Sequence, residues 1–231
     1  VKTAKILDRV KSTDGTYLVL TEYQGHLSVS VDDRVLMSSA AHGSEEQMAL
    51  RALGGSAGSG RGKRKKPKRV LIGGLGLGYT LRATLDLLGD DDSVEISELM
   101  PAIIRWHEEG PLGELAQRPL SDPRVVLRRE DVRNVMASEK EGYDVILLDV
   151  DNGPTAMVSK GNARLYDEAG IKICAEALRP SGMLVVWSAK PDEGYVKRLR
   201  AAGLRANVET TGAGHKSDAA LRHWLFVATR E

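Results

Sequence analysis

The sequence predicts an α/β fold: a doubly wound, mostly parallel seven-stranded sheet with a small N-terminal β domain. Three observations lead there. Val70–Gly78 reads Val-Leu-Ile-Gly-Gly-Leu-Gly-Leu-Gly, an apolar strand that ends in glycines and passes at once into a helical pattern. From there to the end of the chain, strand-length apolar runs alternate with helical repeats, as parallel strands joined by crossover helices do. Ahead of it, residues 1–38 alternate apolar and polar residues between turn signals, the pattern of an antiparallel meander.

Within that meander, Tyr17-Leu-Val-Leu-Thr-Glu-Tyr is a strand, Gln24-Gly25 a turn, and Leu27, Val29 and Val31 alternate with Ser28 and Ser30. Asp32-Asp33 turns the chain again before Arg34-Val-Leu-Met. A helix is predicted through Glu45–Leu53, with Ser44 as N-cap and Gln47 completing a capping box. Residues 1–53 form the expected N-terminal unit, 54–69 a flexible basic linker and 70–231 the larger α/β domain.

The linker expectation rests on composition. Gly54–Arg69 is a Gly/Ser stretch that runs into a Lys/Arg cluster and has too little apolar surface to offset its ordering. Arg61–Arg69 holds seven basic residues, leaving 26 Lys plus Arg against 32 Asp plus Glu, a balance of −6 elsewhere. An acidic body lacks the electrostatic footprint of a nucleic-acid binder, and the basic run has no interleaved aromatics for base stacking. With 42% apolar residues the chain can build a proper core. No run approaches the ~18 apolar residues of a membrane span, and Val1–Asp8 has no apolar centre of a signal peptide. A cytoplasmic protein is expected. The single cysteine, Cys174, shares a helix face with Ile171 and Leu178 and reads as a buried small hydrophobe. The five histidines show no metal-ligand spacing, so no metal is expected.

After the first strand, Leu81, Leu85 and Leu88 mark a helix face; Val94–Glu98 is the second strand, and Pro101 opens the next helix. Val125-Val-Leu is the third strand and Asp144–Asp149 the fourth, whose apolar run suits a central position. A helix through Ile171, Cys174 and Leu178 is expected to end near Pro180-Ser-Gly182, with Met183–Trp187 as the fifth strand. Strands near Arg205–Thr210 and His223–Thr229 follow a short helix through Val196 and Leu199, with an antiparallel partner expected at the sheet edge.

Ligands of open α/β sheets bind beyond the carboxyl ends of the strands. Here those positions hold Gly73, Gly74, Gly76 and Gly78, then Glu98, then Asp131 with Val132, then Asp149 followed by Asp151-Asn152-Gly-Pro154. A dinucleotide turn wants G-x-G-x-x-G, whose third glycine would fall on Tyr79. The G-x-G-x-G spacing suits an S-adenosyl sulfonium donor, which has no pyrophosphate. A carboxylate at Glu98 can accept both ribose hydroxyls; Asp131 can accept from an adenine amino group while the Val132 backbone donates to the ring. Asp149 then faces the reacting centre, where alkyl transfer to an amine needs in-line approach and a proton acceptor. The other reading of Asp131 or Asp151 is a helix N-cap. Glu95 is the rival for the ribose, and Glu98 is preferred because it leaves a longer strand.

These residues resemble the spermidine synthase family, which transfers an aminopropyl group from decarboxylated S-adenosylmethionine to a polyamine on a methyltransferase-type fold. The resemblance covers most of the chain and rests on Gly73–Gly78, Asp122-Pro-Arg-Val125, Glu130-Asp131, Tyr143–Asp149, Gly153-Pro154 and Leu165-Tyr166. It implies donor binding by Glu98 and Asp131 and a catalytic role for Asp149, with Asp151 beside it. Asn152, Tyr166 and Trp187 are candidates for the acceptor side; Trp187 also reads as core at a strand end. The departures are specific. The aspartate of the family's glycine loop is replaced at Leu75 or Gly76, its D-x-x-D-P signature is shortened, its helix tyrosine is replaced near Glu45, and a glutamine is replaced by Trp187. His42–Glu45 is expected to lie where the N-terminal lobe overhangs the site, with one of these residues touching substrate.

Three functions follow: an aminopropyl-type transferase acting on a small-molecule amine, an S-adenosylmethionine-dependent methyltransferase, and a nucleoside-binding protein without turnover. A homodimer through the edge strands of the meander is a further expectation.

Overall fold

The computed structural model describes residues 3–12, 15–32, 34–54, 66–150, 153–154, 162–212 and 222–231. The expected linker lies largely outside the described residues.

Strands β1 (Lys5–Lys11), β2 (Tyr17–Tyr23), β3 (His26–Val31) and β4 (Arg34–Ser38) form an antiparallel sheet in chain order. The β2–β3 turn has positive φ at both Gln24 (53°) and Gly25 (82°), the twist that matches a two-residue hairpin. Alternation buries Leu18, Leu20, Leu27 and Val29 on one face. Helix α1 (Gly43–Leu53) follows. Its start corrects the capping-box expectation: the N-cap is His42, and Ser44 already lies inside the helix, where its hydroxyl donates to Glu45 Oε2 at 2.5 Å.

The second sheet has seven strands in the order β10-β11-β9-β8-β5-β6-β7. These are β5 (Arg69–Gly73), β6 (Ser93–Ser97), β7 (Val125–Arg128), β8 (Tyr143–Leu148), β9 (Leu178–Ser188), β10 (Leu204–Gly212) and β11 (Arg222–Arg230). The helices between them are α2 (Tyr79–Leu87), α3 (Pro101–Glu108), α4 (Pro111–Leu115), α5 (Val132–Ala137), α6 (Ala163–Tyr166), α7 (Glu168–Ala177) and α8 (Glu193–Ala201). Strands β5 to β9 pair in parallel, while β11 runs antiparallel between β9 and β10. The antiparallel strand is therefore second from the edge, and β10 is the edge. The chain winds outward through β6 and β7, then returns to β8 on the other side of β5. That reversal opens a crevice beyond the ends of β5 and β8.

Both faces of the sheet are covered, as continuous apolar strands require. Val70, Ile72 and Ile96 pack toward α2 and α3, and this cluster takes in Leu18, Leu20 and Val29 of the small sheet. Leu71, Ile146 and Leu148 pack toward α5, α7 and α8. Helix α7 ends at Ala177 rather than near Pro180: Leu178 already pairs with Tyr143, the register resumes at Met183 opposite Val145, and the intervening residues bulge, with Ser181 at φ 64°. Cys174 is buried as expected.

Two polar links hold the N-terminal segment over the large sheet. Trp106 Nε1 of α3 donates to Asp8 Oδ2 of β1 at 2.7 Å, and Arg51 of α1 makes a forked pair with Glu209 of β10, the Nε contact being 2.8 Å. No helix among the described residues is long and apolar enough to cross a membrane.

Candidate active site

The site is built on the turn after β5. Gly74, Gly76 and Gly78 all have positive φ (90°, 51° and 89°), which only glycine adopts without strain. Gly74 is glycine for a second reason: a Cβ there would lie 2.3 Å from the carbonyl oxygen of Asp149. The turn is pinned to its neighbours, Gly74 N–H donating to Ser97 at 2.8 Å and Asp149 N–H to Gly73 at 2.9 Å. Leu75 and Leu77 turn their side chains into the core. Met37 of β4 lies over Gly76, its sulfur 3.6 Å from where a Cβ would stand, so the small sheet roofs the turn.

Glu98, directly after β6, is buried against this turn. Its carboxylate accepts from Leu75 N–H at 2.9 Å and from Met100 N–H at 2.7 Å. Burial raises its pKa, and these backbone donors oppose the rise. Glu95 faces elsewhere: its oxygens are taken by Arg69 and by Arg128, the latter at 2.9 Å. Burial pulls the Glu95 pKa up, but the two arginines outweigh it and hold the carboxyl below its ordinary value.

Asp131 is the N-cap of α5, its side chain accepting from Arg133 N–H at 2.8 Å. Val132 packs on Gly73, where a Cβ would meet its methyl at 2.9 Å. Asp131 and Val132 thus flank the glycine turn from the β7 side. The Asp122-Pro-Arg124 motif is a brace: Arg124 Nη2 holds Asp122 at 2.7 Å while Nη1 reaches the Leu88 carbonyl at 3.1 Å.

Asp149 closes the other side of the crevice. Thr80, in the first turn of α2, donates to Asp149 Oδ2 at 2.8 Å. Burial pushes the Asp149 carboxyl up to about 7, the nearby charge of Glu45 adds to the rise and the Thr80 hydroxyl opposes it. Glu45, at the start of α1, is itself raised, chiefly by burial. Beside them His42 stacks on Tyr79, ring centroids 4.0 Å apart. The His42–Glu45 segment thus lies against the start of α2 and brings a second carboxylate toward Asp149. Thr80 and Tyr79 were not singled out from the sequence; their position directly after the glycine turn was the available signal.

The remaining candidates are scattered. Tyr166 is 2% exposed and edge-on to Tyr195, within the core. Trp187 is half-buried at the end of β9, edge-on to His223 at 4.6 Å. Asp151 and Asn152 lie outside the described residues. Gly153, at φ 91°, lies against the end of β9: a Cβ there would strike Ser188 Oγ at 2.1 Å. A cavity of about 410 Å3 opens between α1, α2 and α4, bordered by His42, Tyr79 and Arg82, but none of the strand-end acids lines it. Among the described residues no cluster of His, Cys, Asp and Glu is placed to hold a metal ion.

No family model matches the sequence. The polyamine aminopropyltransferase of Oceanobacillus iheyensis is 29% identical over 126 residues, 54% of this chain and 24% of that protein. Polyamine aminopropyltransferase 1 of Streptomyces coelicolor is 31% identical over 123 residues, 53% of this chain and 22% of that protein. The match thus spans under a quarter of each curated relative. Among solved structures, a spermidine synthase in complex with the transition-state analogue AdoDATO superposes with a TM-score of 0.77 at 18% identity, covering 98% of this chain and 74% of that one. The spermidine synthase of Thermotoga maritima gives 0.74 at 17% identity, covering 98% and 73%. A Burkholderia thailandensis N1-methyltransferase with bound S-adenosylhomocysteine gives 0.53 at 18% identity, covering 81% and 79%. The chain is similar in sequence to polyamine aminopropyltransferases and has the fold of the spermidine synthases and of methyltransferases.

Proposed function

We propose that the protein moves an aminopropyl group from decarboxylated S-adenosylmethionine to a small amine. The observation that carries this reading is the position of Asp149: beyond β8, backbone to backbone with the positive-φ glycine turn, and held by Thr80. Glu98 would accept the ribose hydroxyls, and Asp131 with Val132 would meet the adenine edge. The neutral amine nitrogen attacks the propyl carbon bonded to sulfur; the carbon–sulfur bond breaks and methylthioadenosine leaves uncharged. The proton shed by the attacking nitrogen passes to Asp149, whose pKa of about 7 suits a base near neutrality. Glu45 adds a second negative charge, which favours a cationic acceptor over a neutral aromatic one.

One observation favours methyl transfer instead. Leu75 and Gly76 leave the turn without a carboxylate for the donor's ammonium, and that would admit the carboxylate of intact S-adenosylmethionine. Calorimetry separates the two: tighter binding of the decarboxylated donor by at least about tenfold supports aminopropyl transfer, and the reverse order supports methyl transfer. Silence from both donors and from methylthioadenosine would remove the nucleoside site itself.

A further inference from the structure

His107 lies in the last turn of α3 and is 4% exposed, with its ring beneath the glycine turn. Its Nε2 is 3.0 Å from the carbonyl oxygen of Gly76. A carbonyl only accepts, so Nε2 carries the proton and Nδ1 is left as a lone-pair nitrogen. That Nδ1 is buried and has no hydrogen-bond partner among the described residues, so the ring gains nothing there. Gly78 is shaped to the ring: a Cβ on it would stand 2.7 Å from His107 Cε1, and its φ is +89°. The histidine and the glycine are thus fitted to each other.

The turn is held from two sides by groups that follow β6. Glu98 takes its N–H groups, with Leu75 at 2.9 Å, and His107 takes its Gly76 carbonyl. Inside the turn, Gly78 N–H to Leu75 at 2.8 Å is the bond that closes it. These two anchors differ in one respect. The Glu98 carboxylate would have to divide its lone pairs between backbone N–H groups and ribose hydroxyls, whereas His107 Nε2 carries a single proton that it gives to Gly76 alone. We infer that His107 is the positioning residue of the nucleoside-binding turn, holding Gly76 in place when Glu98 is drawn to the ligand. The role in ligand binding rests on the donor reading proposed above; the anchoring of the turn does not.

Two substitutions test it. His107→Gln keeps an N–H able to reach Gly76, while His107→Phe fills the space without a donor. Amide hydrogen exchange over Leu75–Gly78, measured without ligand, should quicken in the Phe variant by at least about tenfold beyond what its change in global stability accounts for, and stay near the parent in the Gln variant. Methylthioadenosine affinity by calorimetry should fall by about tenfold in the Phe variant and recover in the Gln variant. Unchanged exchange and affinity in the Phe variant would overturn the inference. Equal loosening by Phe and Gln would also overturn it, because the ring would then act by packing alone. If the expected exchange pattern appears but the parent binds no methylthioadenosine, the anchor stands and the donor reading fails.

Discussion

Thr80 and Asp149 are joined by a 2.8 Å hydrogen bond that ties the first turn of α2 to the end of β8. Thr80 is the donor, so the bond favours the ionised carboxylate, against burial and the charge of Glu45. Replacing Thr80 by valine keeps the shape and removes the donor. The Asp149 pKa should then rise above about 7, and the acid limb of a rate–pH profile should move to higher pH by about one unit. An unmoved limb would mean that another group governs it.

Asp149→Asn should keep methylthioadenosine affinity and lower turnover by at least about a hundredfold. Its stability effect has a definite sign. The folded-state pKa, about 7, is raised above the usual carboxylate value, so the native state holds a proton that the unfolded chain releases. The contribution is fully present at low pH and is lost as pH rises through about 7. The asparagine variant should therefore melt higher than the parent at about pH 8 and level with it at about pH 4, as read by calorimetric Tm.

Asp8 titrates in the opposite sense. The Trp106 indole hydrogen bond, with Arg105 and the Arg9 amide, holds its carboxyl below the usual range against the cost of burial. Its contribution is present above the unfolded value and lost as pH falls through the folded one. Asp8→Asn should lower Tm at neutral pH, with the difference narrowing as the pH is taken below the usual carboxylate range.

Glu98→Ala should leave the buried N–H groups of Leu75 and Met100 without acceptors, costing about 2 kcal/mol of stability by urea unfolding. Methylthioadenosine binding should weaken by at least about tenfold in the same variant. Glu95→Ala should affect stability alone, since Arg69 and Arg128 occupy its carboxylate.

Gly74→Ala places a Cβ 2.3 Å from the Asp149 carbonyl at a φ of +90°. Both faults strike the same turn. Chain expression as a folded protein should fall, and any folded fraction should be destabilised by at least about 3 kcal/mol.

The large sheet was legible because its strands are continuous apolar runs separated by helical repeats, and the ends of those strands are sequence positions. Glu98 and Asp149 could be found that way, as could the glycines. Their partners could not: His107 reaches Gly76 only because α3 folds back beneath the turn, and Thr80 and Glu45 meet Asp149 through the packing of α1 and α2. Local rules failed where tertiary pairing intervened. Ser44 lost the cap because α1 begins after His42, and Leu178 left its helix because Tyr143 pairs with it. Asp131 took the N-cap that was its simpler reading, its Oδ1 accepting from Arg133 N–H, and ligand binding by its other oxygen belongs to the proposal.

The most direct measurement is chromatographic detection of methylthioadenosine after incubation with decarboxylated S-adenosylmethionine and a diamine. Amine-dependent release by the parent, abolished in Asp149→Asn, is the result expected. Release of S-adenosylhomocysteine from intact S-adenosylmethionine, with no methylthioadenosine from the decarboxylated donor, would contradict aminopropyl transfer.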